Sequence, residues 1–438
     1  MFFVKQLPRY RPLTFLRLRL LPLLAVLMAA AVPVSAQVTA LLPDAWVDVQ
    51  SGTVNSGGVI LVEEGKVKAI QAERGALPEG AQILDLSGYT LLPGLIDMHT
   101  HLTSDPLMHG YRRLSRSGVR AAIKGVKHAR DTLMAGVTTV RNVGAGAWGD
   151  VALRDAIADG DVPGPRMLVS GPSLGITGGH CDNNLLPPEY KARGEAVADG
   201  PWAVTAQVRQ NIKYGADVIK FCATGGVLSK GTKVGAQQYS LEEMTALVEE
   251  AHRRGLTVAA HAHGGEGIRT AIEAGVDTVE HASFIDKETI RLALKKGTAL
   301  SMDIYVTEYI LGEGEKAGIL PESLAKERMV GRAQRENFRA AVKAGVTMVM
   351  GTDAGVYPHG DNLKQLSRMV QFGMTPMQAL QAASINAARV LGKDQEFGAI
   401  AAGLSADMIA VKGDPIQDIA LLEQVAFVMK QGVVYKSE

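Results

Sequence analysis

Apolar positions come in two patterns along this chain. From about residue 38 to 90 they form short alternating or continuous runs, such as Gly58-Val59-Ile60-Leu61-Val62 and Val67-Lys68-Ala69-Ile70, broken by glycine and acidic turns. The C-terminal stretch repeats that style in Ala406-Asp407-Met408-Ile409-Ala410-Val411, in 425–429 and in Gly432-Val433-Val434-Tyr435. Antiparallel strands are expected in both, and the two ends, 37–92 and 393–438, are expected to pair as one small β-sandwich. Between them short apolar runs at 95–99, 138–143, 167–170, 218–222, 257–261, 278–281, 299–302 and 347–352 alternate with longer stretches of helical period. One such stretch runs from Ser240 to Arg254, with Ser240 and Glu243 placed as a capping box. Eight strands with helical connections predict an α/β fold, a (β/α)8 TIM barrel over 93–392.

The first 36 residues break with this pattern. Lys5, Arg9, Arg11, Arg17 and Arg19 precede an apolar run over 20–32, and Val34-Ser35-Ala36 supplies small residues for cleavage. That order is the mark of a secretory signal, and the apolar run is short for a membrane span. The expected mature chain begins near Gln37, is exported to the periplasm or secreted, and keeps no membrane attachment; a retained anchor is the alternative. With 46 Lys+Arg against 45 Asp+Glu there is no cationic excess of the kind that binds nucleic acid. Only two cysteines occur, Cys181 and Cys222, which leaves a single bridge or two inert thiols open.

The chemistry collects at predicted strand ends. Pro93-Gly94-Leu95-Ile96-Asp97-Met98-His99-Thr100-His101 is an apolar strand finishing in two histidines one residue apart, and residues two apart on a strand face the same side. Both imidazoles can reach one metal ion. Lys220 sits inside the apolar run Val218-Ile219-Lys220-Phe221-Cys222, where burial lowers an ammonium pKa; the neutral amine can take up carbon dioxide and become an anionic, two-oxygen ligand. His261 and His281 end two further strands, and Asp353 follows the last, a carboxylate able to bind metal and move protons.

In that order, His-x-His, Lys, His, His, Asp, the chain resembles the amidohydrolase superfamily from its N-terminal β segment to its end. More narrowly it is similar to the imidazolonepropionase-related and prolidase-like branch with Xaa-Arg/Lys dipeptidases and ochratoxinase-type amidohydrolases. The motifs that carry this are Thr177-Gly178-Gly179-His180, Lys220-Phe221-Cys222-Ala223-Thr224-Gly225-Gly226, His261-Ala262-His263-Gly264 and the helix over 382–392. The resemblance implies two divalent cations, zinc foremost: His99, His101 and Asp353 hold one, His261 and His281 the other, and Lys220 as N6-carboxylysine bridges them. It implies Asp353 as base and then acid, with His281 and His263 also catalytic. His180, His263 and Tyr239 would bind substrate. His109, His128, His252 and His359 are expected on the surface or on helices. The function so implied is hydrolysis of an amide in a dipeptide, an N-acyl amino acid or an ochratoxin-like molecule, releasing an amino acid, by a homo-oligomer. A cyclic-amide hydrolase is the alternative; a deaminase would ordinarily lack the strand lysine, and a non-catalytic scaffold would not keep six ligand positions.

Overall fold

The computed structural model describes residues 37–438, so the leader expected over 1–36 lies outside the described residues. The chain opens with β1 (Thr39–Asp48), β2 (Thr53–Ser56), β3 (Val59–Glu63), β4 (Lys66–Gln71) and β5 (Gln82–Pro93). Eight short strands follow: β6 (Leu95–Thr100), β7 (Val137–Asn142), β8 (Arg166–Val169), β9 (Val218–Cys222), β10 (Thr257–Ala262), β11 (Thr278–His281), β12 (Ala299–Ser301) and β13 (Met348–Val349). It closes with β14 (Met408–Lys412), β15 (Phe427–Lys430) and β16 (Val433–Ser437).

The two chain ends do pair, but as one continuous eight-stranded sheet in the order β16-β15-β14-β5-β1-β3-β4, with β2 on β1. The reason is β5: twelve residues long, it runs parallel to β1 on one side and antiparallel to β14 on the other. The sheet bends back on itself, so that Ala406 N donates to Gly65 O at 2.9 Å and Gly432 N to Ala406 O at 3.0 Å. Leu41, Ile60, Leu91, Met408 and Phe427 make a core of their own inside that bend.

The eight middle strands are all parallel, in ladders β6-β7-β8 and β9-β10-β11-β12-β13. Every residue of β6, β7 and β9 is buried, as expected of strands covered on both faces. A helix lies in each connection, from Gly118–Met134 between β6 and β7 to Pro321–Ala344 between β12 and β13. Among them Leu241–Arg253 carries the capping box read from the sequence: Ser240 Oγ accepts from Glu243 N at 3.2 Å, and Glu243 Oε2 from Ser240 N at 2.8 Å. Backbone bonds bridge the ladders at both flanks, Asp217 N to Val169 O (2.7 Å) and Met98 N to Met350 O (2.8 Å). Among the described residues no helix is long and apolar enough to cross a membrane.

Candidate metal centre

The C-terminal ends of the parallel strands open into a cavity of about 760 Å³. Parallel pairing puts every strand's C-terminal end at the same edge, so residues distant in sequence meet there. His99, His101, Lys220, His261, His281 and Asp353 all line it, with His180 and His263 beside them.

Within the cavity the nitrogens and oxygens converge. Asp353 Oδ1 lies 3.2 Å from His101 Nε2 and 3.5 Å from His99 Nε2. One ligand atom each from His99, His281 and Asp353 fall within 4.8 Å of one another, and so do those of His261, His263 and His281. His281 belongs to both groups, and His263, read from the sequence as a substrate residue, stands inside the second. His281 and Asp353 both hold left-handed backbone (φ 70° and 58°), a conformation costly for residues with a Cβ and concentrated at functional sites.

The outer nitrogens of five of the cavity's rings are engaged. His99 Nδ1 meets Glu280 Oε2 at 3.0 Å, His281 Nδ1 meets Asp303 Oδ1 at 2.8 Å, and His101 Nδ1 lies 3.2 Å from Gly144 O. His263 and His180 use Nδ1 toward Ser283 Oγ and Ser229 Oγ, both at 2.8 Å. Fixing Nδ1 leaves Nε2 for the cavity, the arrangement in which imidazoles serve as metal ligands. The Nε2 of His261 is fully buried and has no hydrogen-bond partner. An orphaned lone pair of that kind, among neutral imidazoles and a carboxylate, fits a divalent cation. Burial holds His99 and His180 at about 3 and His261 and His263 well below the usual imidazole value, so all four keep their lone pairs at neutral pH. His281 is the exception: burial acts downward, but the Asp303 carboxylate outweighs it and raises the group.

Lys220 is 3% exposed and burial brings its amine down to about 8. It has no ion-pair partner among the described residues, so a fraction of the amine is neutral at pH 7 to 8. Beneath it runs a network the sequence reading missed. Arg141 and Glu280, both 0% exposed, pair at 2.6 Å, and Arg141 also donates to Met98 O and Thr278 Oγ1. The available signal was the charge itself: Arg141 and Glu280 each stand in a wholly buried strand, where an ion must be paired. Asp303 and Gln334, which donates to it at 2.9 Å, were missed as well.

Cys181 and Cys222 form a disulfide with Cα atoms 6.1 Å apart. It fastens the loop bearing His180 to the strand bearing Lys220. Gly226 lies under the His180 ring, and a Cβ there would overlap the ring atoms.

Tyr239 does not belong to the cavity wall. It is 1% exposed, packs against Phe221 and donates its hydroxyl to Ala198 O at 2.9 Å, which corrects the expectation that it meets substrate. His128 lies on the helix Gly118–Met134, as expected, but is buried; His359 is buried and on no helix, and the two rings stack 4.3 Å apart. His109 is half-buried at the cavity wall and bonded to Val356 O, and His252 pairs with Asp277 at the surface.

Comparison with known proteins agrees with this geometry. The model of the amidohydrolase family matches residues 90–435. Ochratoxinase of Aspergillus niger is 35% identical over 371 residues, covering 79% of this chain and 75% of that protein. The crystal structure of a Xaa-Pro dipeptidase with methionine bound in its active site superposes with a TM-score of 0.85 at 36% identity, covering 92% of this chain and all of the other. The crystal structure of Aspergillus niger ochratoxinase superposes with a TM-score of 0.84 at 29% identity, covering 92% and 96%.

Proposed function

The chain belongs to the amidohydrolase family and is a hydrolase of C–N bonds, and from that premise we propose that it cleaves the amide of a dipeptide or an N-acylated amino acid with the help of two divalent cations, zinc foremost. The observation that carries the reading is the convergence of His99, His101, Lys220, His261, His281 and Asp353 on one cavity, with the Nε2 of His261 buried and unpartnered. The eight parallel strands are taken as a closed (β/α)8 barrel, supported by the bonds that bridge its two ladders at both flanks.

His99, His101 and Asp353 would hold one cation and His261 and His281 the other, with Lys220 as a carbamate between them. When bound, the cations lower the pKa of a water and polarise the scissile carbonyl. Asp353 accepts the proton of the attacking water and returns it to the departing nitrogen, a step amides require because an amide anion leaves poorly. His180 and His263 face the same space and orient the carbonyl. Val227, Leu228, Val306 and Ile310 give the cavity an apolar flank for a side chain of the substrate. A site of action outside the cytosol is part of this proposal, and the Cys181–Cys222 bond supports it, since such bonds persist in oxidising compartments.

The test is elemental analysis of the purified protein, together with amino-acid release from a panel of dipeptides, N-acyl amino acids and cyclic amides. About two metals per chain with release from linear amides supports the proposal. Release from rings alone redirects it to cyclic amides, and metal-free protein with full activity overturns it.

A further inference from the structure

Most charged side chains of the cavity wall already have a partner. Arg116 pairs with Asp105, Arg193 donates to Val197 O, and Asp182 and Glu195 accept backbone N–H groups. Asp303 holds His281, and Glu327 accepts from Thr307. Outside the residues assigned to metal, Arg113 alone among the charged groups of this wall has no ion pair and no side-chain hydrogen bond among the described residues. It stands on the short 3-10 helix Gly110–Ser115, open to the solvent of the cavity. Arg113 lines the same cavity as His180, His263 and Asp353. The charge therefore faces the space where substrate would lie.

We propose that Arg113 is the specificity-determining residue that receives the free carboxylate of the substrate. A guanidinium offers paired N–H donors matched to a carboxylate, and one left without a protein partner loses nothing by turning to a ligand. This rests on the amide-hydrolase reading above. It predicts preference for substrates ending in a free acid over the same molecules ending in a carboxamide.

The experiment compares the wild-type holoenzyme with Arg113→Gln and Arg113→Lys on an N-acyl amino acid and on its carboxamide. Calorimetry on the product amino acid and its amide runs alongside. In Arg113→Gln the KM for the acid should rise about 10- to 100-fold, with kcat and the carboxamide little changed. Arg113→Lys should recover part of the loss, because it restores charge without the fork. Product binding should lose its preference for the acid in Arg113→Gln. An unchanged preference for the acid in that variant, in turnover or in binding, overturns the proposal. Failure of the wild type to cleave any amide would count against the hydrolase reading instead, and product binding would still decide the role of Arg113.

Discussion

His99 Nδ1 lies 3.0 Å from Glu280 Oε2, so the imidazole near the end of β6 is aimed by a carboxylate from β11, one residue before another expected ligand. The other oxygen of Glu280 holds Arg141 at 2.6 Å. One buried carboxylate thus orients a ring of the proposed metal centre and neutralises a buried guanidinium. Glu280→Gln is expected to cost about 3 kcal/mol of stability, because Arg141 becomes an uncompensated buried charge. It should also weaken metal binding about 10- to 100-fold through loss of orientation. Urea unfolding and metal titration measure the two effects.

Asp353 carries the proton transfer in the proposed mechanism. Asp353→Asn should retain part of the metal while kcat falls about 10²- to 10⁴-fold, the usual weight of a general acid–base group. Lys220→Ala should lose the metal pair unless a small carboxylate is added back. Normal turnover in either variant would exclude the assigned role.

Gly226 seats the His180 ring. Gly226→Ala forces that ring to move, and displacements of about 1 Å near a reacting centre can cost about 100-fold. The expected result is a fall in kcat/KM with unchanged metal content. An unchanged kcat/KM would show that His180 takes no part in turnover.

Glu327 is 3% exposed, and burial raises its carboxyl from an ordinary value of 4.5 to about 7. The folded chain therefore binds this proton more tightly than the unfolded chain does. The associated stability is fully present below about pH 4.5 and is lost as pH rises through about 7. That rise in the carboxyl pKa corresponds to about 3 kcal/mol. Glu327→Gln should flatten this dependence and be more stable than the wild type at pH 8. Parallel stability curves for the two proteins between pH 4 and 8 would refute the assignment.

The legible parts of this molecule were those fixed by local pattern. The apolar run 218–222 is a strand to the residue, because burial on both faces demands unbroken hydrophobicity. The last of the eight runs was read over 347–352, yet β13 covers only Met348–Val349. From Met350 onward the backbone bonds instead to Ala382 and to β6, partners that no local pattern reveals. The same limit explains Glu280, Arg141 and Asp303, whose roles depend on groups up to 181 residues away. Tyr239 erred in the other direction. The family resemblance implied that it binds substrate, but the ring is buried and its hydroxyl donates to a carbonyl 41 residues upstream.

The disulfide has a combinatorial consequence. Two cysteines in 438 residues admit one intramolecular pairing, whereas four admit three and six admit fifteen. Oxidation of this chain therefore cannot scramble within a molecule. An oxidant alone suffices to make the bond, and no isomerase is required to correct it.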